Sequence, residues 1–205
     1  MSNPLSPIPS TQNTPPGRGL LIVISGPSGV GKTTVTHELE QMLGAAFSVS
    51  MTTRRKTEAD TEGVDYYFVD HARFEQAIAS GELLEWAKVF ENYYGTPRGP
   101  VERSLAEGRD ILLEIDVSGA IQIKGSHPEA LSIFILPPSE EELLERLRKR
   151  GREAEAVIQR RFSEAQREIA QARKCGAYDY FIINANLHDA VREAYAIVQR
   201  RKTPV

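Results

Sequence analysis

Cysteine is almost absent: Cys175 is the only one in 205 residues. That excludes an intrachain disulfide and a cysteine-rich metal site, and it fits a reducing compartment. No apolar run reaches the length of a membrane span. Excess charge of one sign is also missing. The formal net charge is −3, so no global basic field recruits nucleic acid or an acidic membrane. The N-terminus, MSNPLSPIPSTQNTPPGRG, holds five of the twelve prolines and almost no charge. It lacks the basic start and apolar core of a signal peptide. Proline at that density blocks helix and ladder bonding, so residues 1–18 are expected to form a disordered tail.

What remains has an ordinary globular balance, 40% apolar and 26% charged. LLIVIS (20–25) is a continuous β-branched run, suited to a strand buried on both faces. FSVSMTT (47–53), YYFVD (66–70), DILLEID (110–116), LSIFILP (131–137) and YFIIN (180–184) read as further strands. KTTVTHELEQML (32–43), HARFEQAIAS (71–80), PVERSLAEG (100–108) and HDAVREAYAIVQRR (188–201) have helical spacing. So does the stretch from Ser139 to Lys174, broken near Gly151. Strands alternating with helices predict an α/β fold, a parallel central sheet flanked by helices.

Between the first strand and the first helix lies ISGPSGVGKTT. Gly26, Pro27, Ser28, Gly29, Val30, Gly31, Lys32 and Thr33 fit G-x-x-x-x-G-K-[ST], the phosphate-binding loop of nucleoside triphosphate enzymes. Its glycines allow several N–H groups to point into one hollow, and the following helix adds its positive end. Lys32 supplies a cation for the β and γ phosphates, and the Thr33 hydroxyl is a ligand for Mg²⁺. Thr34 is either a contact to the α phosphate or a plain helical position. ILLEID carries Glu114 and Asp116, which strand alternation puts on one face. They either stand near the metal and the acceptor or simply end a strand.

The loop does not identify the phosphoryl acceptor. Ser50, Arg54, Arg55, Lys56, Tyr66, Glu85, Trp86, Tyr93, Tyr94 and Thr96 cluster between the second strand and PVERSLAEG. Arginine with tyrosine hydroxyls suits a phosphate monoester, and a carboxylate suits a base offering paired N–H donors. Taken singly, each has a structural alternative in a core or on a surface.

ISGPSGVGKTT, SVSMTTR, EGVDYYFV, ELLEWAKVFENYYGTP, LLEID-x-x-G and PPS-x-EEL follow one another in the order of the guanylate kinase family, which the chain resembles from about Gly19 to Arg200. The EWA…NYYGT block is the most specific part. The resemblance implies a P-loop nucleoside monophosphate kinase-like fold with a GMP-binding insert and a mobile helical lid. The core would comprise residues 19–49, 100–138 and 171–205, the insert residues 50–99 and the lid residues 139–170. It implies an ATP:GMP phosphotransferase working with Mg²⁺ in the cytoplasm, without nucleic acid or membrane partners. Its oligomeric state stays open. Ser50, Glu85, Thr96 and Asp116 would read guanine, and Arg54, Tyr66 and Tyr94 would hold the GMP phosphate. Asn184 would approach the adenine of ATP. Lys32, Arg54, Arg150 and Arg161 would be catalytic, with Arg146 a weaker companion.

The chain departs from the family after TTR. Thr57 stands where a second phosphate-binding arginine is expected, and Asp60 where a glutamate is expected. That loss should cost roughly ten- to a hundredfold in GMP affinity unless Arg55 or Lys56 substitutes. Ser118 and Ala185 are smaller departures. Two other readings remain at this level. One is a guanylate-kinase-like ribose bisphosphate phosphokinase, against which Glu85 and Asp116 argue. The other is a non-catalytic protein-binding module, against which the intact Gly31, Lys32 and Thr33 argue.

Overall fold

A computed structural model of the protein describes residues 17–89, 91–150 and 154–203. The tail expected over residues 1–18 lies almost wholly outside them, as do residues 151–153 and the side chain of Arg150. Strand β1 (Leu21–Ser25) is buried at every position. Helix α1 (Lys32–Leu43) follows, then β2 (Ala46–Phe47), β3 (Met51–Thr52) and β4 (Tyr67–Phe68). Next come α2 (His71–Ala79), β5 (Leu83–Val89), β6 (Asn92–Pro97), α3 (Arg98–Ala106) and β7 (Ile111–Glu114). The chain continues through α4 (Val117–Ser126), β8 (Leu131–Leu136), α5 (Glu140–Arg150), α6 (Glu155–Lys174), β9 (Tyr180–Ile183) and α7 (Leu187–Lys202).

The main sheet is parallel, in the order β2-β7-β1-β8-β9. Alternation along β1 divides its side chains between two cores. Val23 packs with Val101, Leu105, Ala120 and Ile123 from α3 and α4. Ile22 and Ile24 pack with Val35 and Leu39 of α1 and with Ala194 and Val198 of α7. Helices on both faces explain why β1 and β8 read as near-continuous apolar runs. They also leave the C-terminal strand ends as the open mouth where ligands bind in such sheets.

A second sheet, β4-β3-β6-β5, is built from residues 51–97 over a small core of Met51, Phe74, Ala77 and Leu83. Here the structure corrects the expected strand 47–53. Ala46–Phe47 pairs with β7 in the main sheet, whereas Met51–Thr52 pairs with β6 and β4 in the second. A period of two shows that residues are extended and does not show which sheet they join. The hairpin β5–β6 was not expected as strands, because its aromatic and charged residues mask the alternation. Helix α4 was also unexpected: VSGAIQIKGS holds two glycines and has β-branched positions, all poor helix formers. Consequently Asp116 does not extend β7. It is the N-cap of α4, and its carboxylate accepts from the Gly119 N–H at 2.7 Å. Among the described residues, no helix is long and apolar enough to cross a membrane.

Candidate active site

A cavity of about 320 Å³ opens where β1 and β7 end, between the second sheet and α6. Gly26, Ser28 and Lys32 line it from the loop, and Glu114, Ile115 and Asp116 from the end of β7. Ser50, Tyr66, Glu85 and Tyr94 face it from the other side, and Arg161, Glu164, Ala165 and Glu168 from α6. The last four are spaced i, i+3, i+4, i+7, so they form one helical face. Arg161 was singled out in the sequence. Glu164 and Glu168 were not, although that spacing from Arg161 would have found them.

The loop is shaped as its glycines require. Gly31 caps α1 with φ at +94°, a left-handed conformation natural to glycine. A Cβ there would lie 2.8 Å from the Asn184 amide nitrogen. Lys32 Nζ donates to the Gly26 carbonyl at 2.7 Å, folding back along the loop. Arg161 donates to the Ser28 hydroxyl at 2.8 Å, so α6 already touches the loop. The Thr33 hydroxyl donates to Glu114 Oε1 at 2.9 Å. Behind the loop, a second recess is lined by Gly29, Gly31, Thr34, Arg146, Asn184 and Ala185, among others. Arg146 donates to the Asn184 carbonyl at 3.0 Å, and the Asn184 amide donates to the Val30 carbonyl at 2.9 Å. Arg146 thus stands on this side of the loop and does not line the first cavity.

Glu85 is the acid that the fold hides. It is 4% exposed, and its Oε1 accepts from the Thr96 hydroxyl at 2.5 Å across the β5–β6 ladder. The ladder register shifts between Leu83 and Glu85, and irregularities of this kind re-aim a side chain. Burial pushes the Glu85 carboxyl up to about 7, with nearby Asp116 adding to the rise and the Thr96 bonds opposing it. Glu168 is likewise raised to about 7, first by burial and then by Asp116 and Glu164, against the pull of Lys32. Thr96 stands behind Glu85 and does not itself line the cavity.

Arg54 is placed differently. Its guanidinium forms a fork on Asp60, with bonds of 3.0 and 2.8 Å, and lies over the rings of Tyr66 and Phe68. It is not among the residues that line the cavity. Asp60 also accepts from the Thr57 N–H at 2.7 Å and the Thr57 hydroxyl at 2.6 Å. The two positions that differ from the resembled family therefore bond to each other. Arg54 holds the Asp60 carboxyl far below its usual range, with Thr57 assisting. Arg55 and Lys56 are exposed and do not line the cavity.

A family model described as guanylate kinase matches residues 18–201. The chain is 48% identical over 186 residues to a guanylate kinase of Carboxydothermus hydrogenoformans, covering 90% of each chain. It is 47% identical over 188 residues to a guanylate kinase of Clostridium tetani, covering 92% of this chain and 89% of that one. The crystal structure of guanylate kinase from Anaplasma phagocytophilum superposes with a TM-score of 0.74 at 34% identity, covering 92% of this chain and 89% of the other.

Proposed function

The chain belongs to the guanylate kinase family and is an ATP:GMP phosphotransferase, and from this premise we propose how its residues divide the work. The donor ATP occupies the loop Gly26–Thr34, with Lys32 exchanging the Gly26 carbonyl for the β and γ phosphates. Asn184 lies beside the adenine, in the recess behind the loop. GMP occupies the cavity between the second sheet and α6. Ser50, Glu85 and Asp116 select guanine with Thr96 supporting Glu85, and Tyr66 and Tyr94 hold the phosphate with Arg54, which exchanges Asp60 for it. The single observation that supports this most is the buried Glu85 carboxylate facing the cavity that Lys32 also lines.

Selection follows from desolvation. Guanine presents N1–H and a 2-amino group side by side, which one carboxylate satisfies. Adenine has no such pair, so AMP leaves a buried carboxylate unpaired, at a cost on the order of several kcal/mol. Thr96 fixes one oxygen of Glu85 and leaves the other free to accept. A ribose bisphosphate offers no edge for this acid.

The divalent metal fits the residues present. Thr33 and Glu114 bring two hard oxygens together, and Mg²⁺ needs few protein ligands beside phosphates and water. Thr33 would hold the ion, with Glu114 orienting it, and the bound ion would neutralise phosphate charge. The GMP phosphate is already an anion, so the chain supplies position and countercharge with no covalent intermediate. Arg161 closes from α6 onto the transferring group. Arg150, at the end of α5, is proposed for the same duty by resemblance alone, since its side chain lies outside the described residues. Residues 50–99 serve as the acceptor insert and residues 139–170 as a mobile lid whose closure excludes water. A cytoplasmic location belongs to the same reading.

A coupled ADP-release assay across GMP, AMP, CMP, UMP and ribose bisphosphate tests the acceptor assignment. GMP should be preferred by orders of magnitude in kcat/KM. Preference for any other acceptor overturns the reading.

A further inference from the structure

Gly119 stands in the first turn of α4, and its φ is outside the left-handed region. Its backbone therefore does not demand glycine, and alanine would be the better helix former. Space demands it instead. A Cβ at this position would lie 2.4 Å from Glu85 Oε2, 3.0 Å from Glu85 Cδ and 3.3 Å from Ile115 Cδ1. By contrast, Gly125 in the same helix has nothing within 4 Å of an added Cβ.

Glu85 has little freedom to yield to such a methyl. Its other oxygen is held by Thr96, and the residue is buried. A Cβ added at Gly95, across the ladder, would lie 3.0 Å from the Glu85 backbone carbonyl, so the strand there has little room to shift. The remaining boundary of Glu85 is the cavity, which it lines.

We propose that Gly119 is a specificity-determining position: the side chain it lacks is the space in which the Glu85 carboxylate sits, and that space sets how far the acid projects toward the acceptor base. Gly119 touches no substrate and acts through Glu85, so it is a positioning residue. The inference rests on the reading of Glu85 as the guanine-recognising acid.

The test is a set of substitutions read by steady-state kinetics and thermal melting. Gly119→Ala should raise the KM for GMP at least about tenfold. It should leave the KM for ATP within about twofold. Gly125→Ala should change neither. Glu85→Asp withdraws the carboxylate by one methylene, so in that background Gly119→Ala should alter the KM for GMP by less than about threefold. Equal effects of Gly119→Ala in the two backgrounds overturn the proposal. If Gly119→Ala alone does not fold, the melting temperature of the double variant decides. It should match or exceed that of Glu85→Asp, and an equal collapse overturns the proposal. Glu85→Gln separates the two layers. An unchanged KM for GMP in that variant refutes the reading of Glu85. A raised KM there, with Gly119→Ala silent, refutes only the role of Gly119.

Discussion

The Thr33 hydroxyl donates to the Glu114 carboxylate across 2.9 Å, joining the first turn of α1 to the end of β7. The two residues are 81 apart in sequence, and parallel pairing of β7 with β1 brings them together.

This contact predicts a metal-dependence phenotype. Glu114→Gln keeps a hydrogen-bond acceptor for Thr33 but removes the charge. The Mg²⁺ concentration for half-maximal rate should rise roughly 10- to 100-fold, as for other lost supports of a metal ligand. Thr33→Ser should stay near wild type. A Mg²⁺ titration unchanged by Glu114→Gln contradicts the assignment.

Arg161 reaches the loop through Ser28. Arg161→Ala should lower kcat by roughly 10²- to 10³-fold, the scale of one lost transition-state donor. The KM for GMP should change little, because the arginine is proposed to serve the transferring group. Ser28→Ala should have a small effect. A pure KM effect for Arg161→Ala would place the residue in ground-state binding instead.

Thr57, where the resembled family is expected to carry a second phosphate-binding arginine, bonds to Asp60 instead. Either Arg55 or Lys56 is proposed to turn inward when the phosphate is bound. Alanine at the correct one should raise the KM for GMP about tenfold. Steady-state kinetics of Arg55→Ala and Lys56→Ala decide it, and two unchanged KM values defeat the idea.

Glu85 and Glu168 give a pH signature. Both carboxyls are raised to about 7 in the fold from an ordinary 4.5. The folded form therefore binds protons more tightly than the unfolded chain. Their contribution to stability is fully present below about 4.5 and is lost as pH rises through about 7. The melting temperature of the ligand-free protein should fall across that window, and Glu85→Gln or Glu168→Gln should flatten the decline. A slope identical to wild type in both variants contradicts the account.

Much of this was legible in the sequence because local chemistry was unambiguous. The strand LLIVIS, the glycine loop and α1 follow directly from one another, and the helix stops at Gly81 and Gly108 adopt positive φ. The residues of the acceptor cluster were named from chemistry and resemblance, and Ser50, Tyr66, Glu85 and Tyr94 do share one cavity. Other features were out of reach for physical reasons. Whether residues 47–53 belong to one sheet or two depends on pairing partners far along the chain. The N-cap duty of Asp116 required recognising a glycine-rich helix. The fork of Arg54 on Asp60 depends on the loop conformation that Thr57 helps to hold. The closeness of Gly119 to Glu85 joins two elements that no local pattern connects.

The central claim, that the buried Glu85 carboxylate selects the acceptor base, is tested most directly by comparing kcat/KM for GMP and AMP in wild type and Glu85→Gln. The variant should lose roughly tenfold or more of its GMP efficiency. The gap between GMP and AMP should narrow, and the KM for ATP should stay close to wild type. An unchanged preference for GMP over AMP in the variant would contradict that claim.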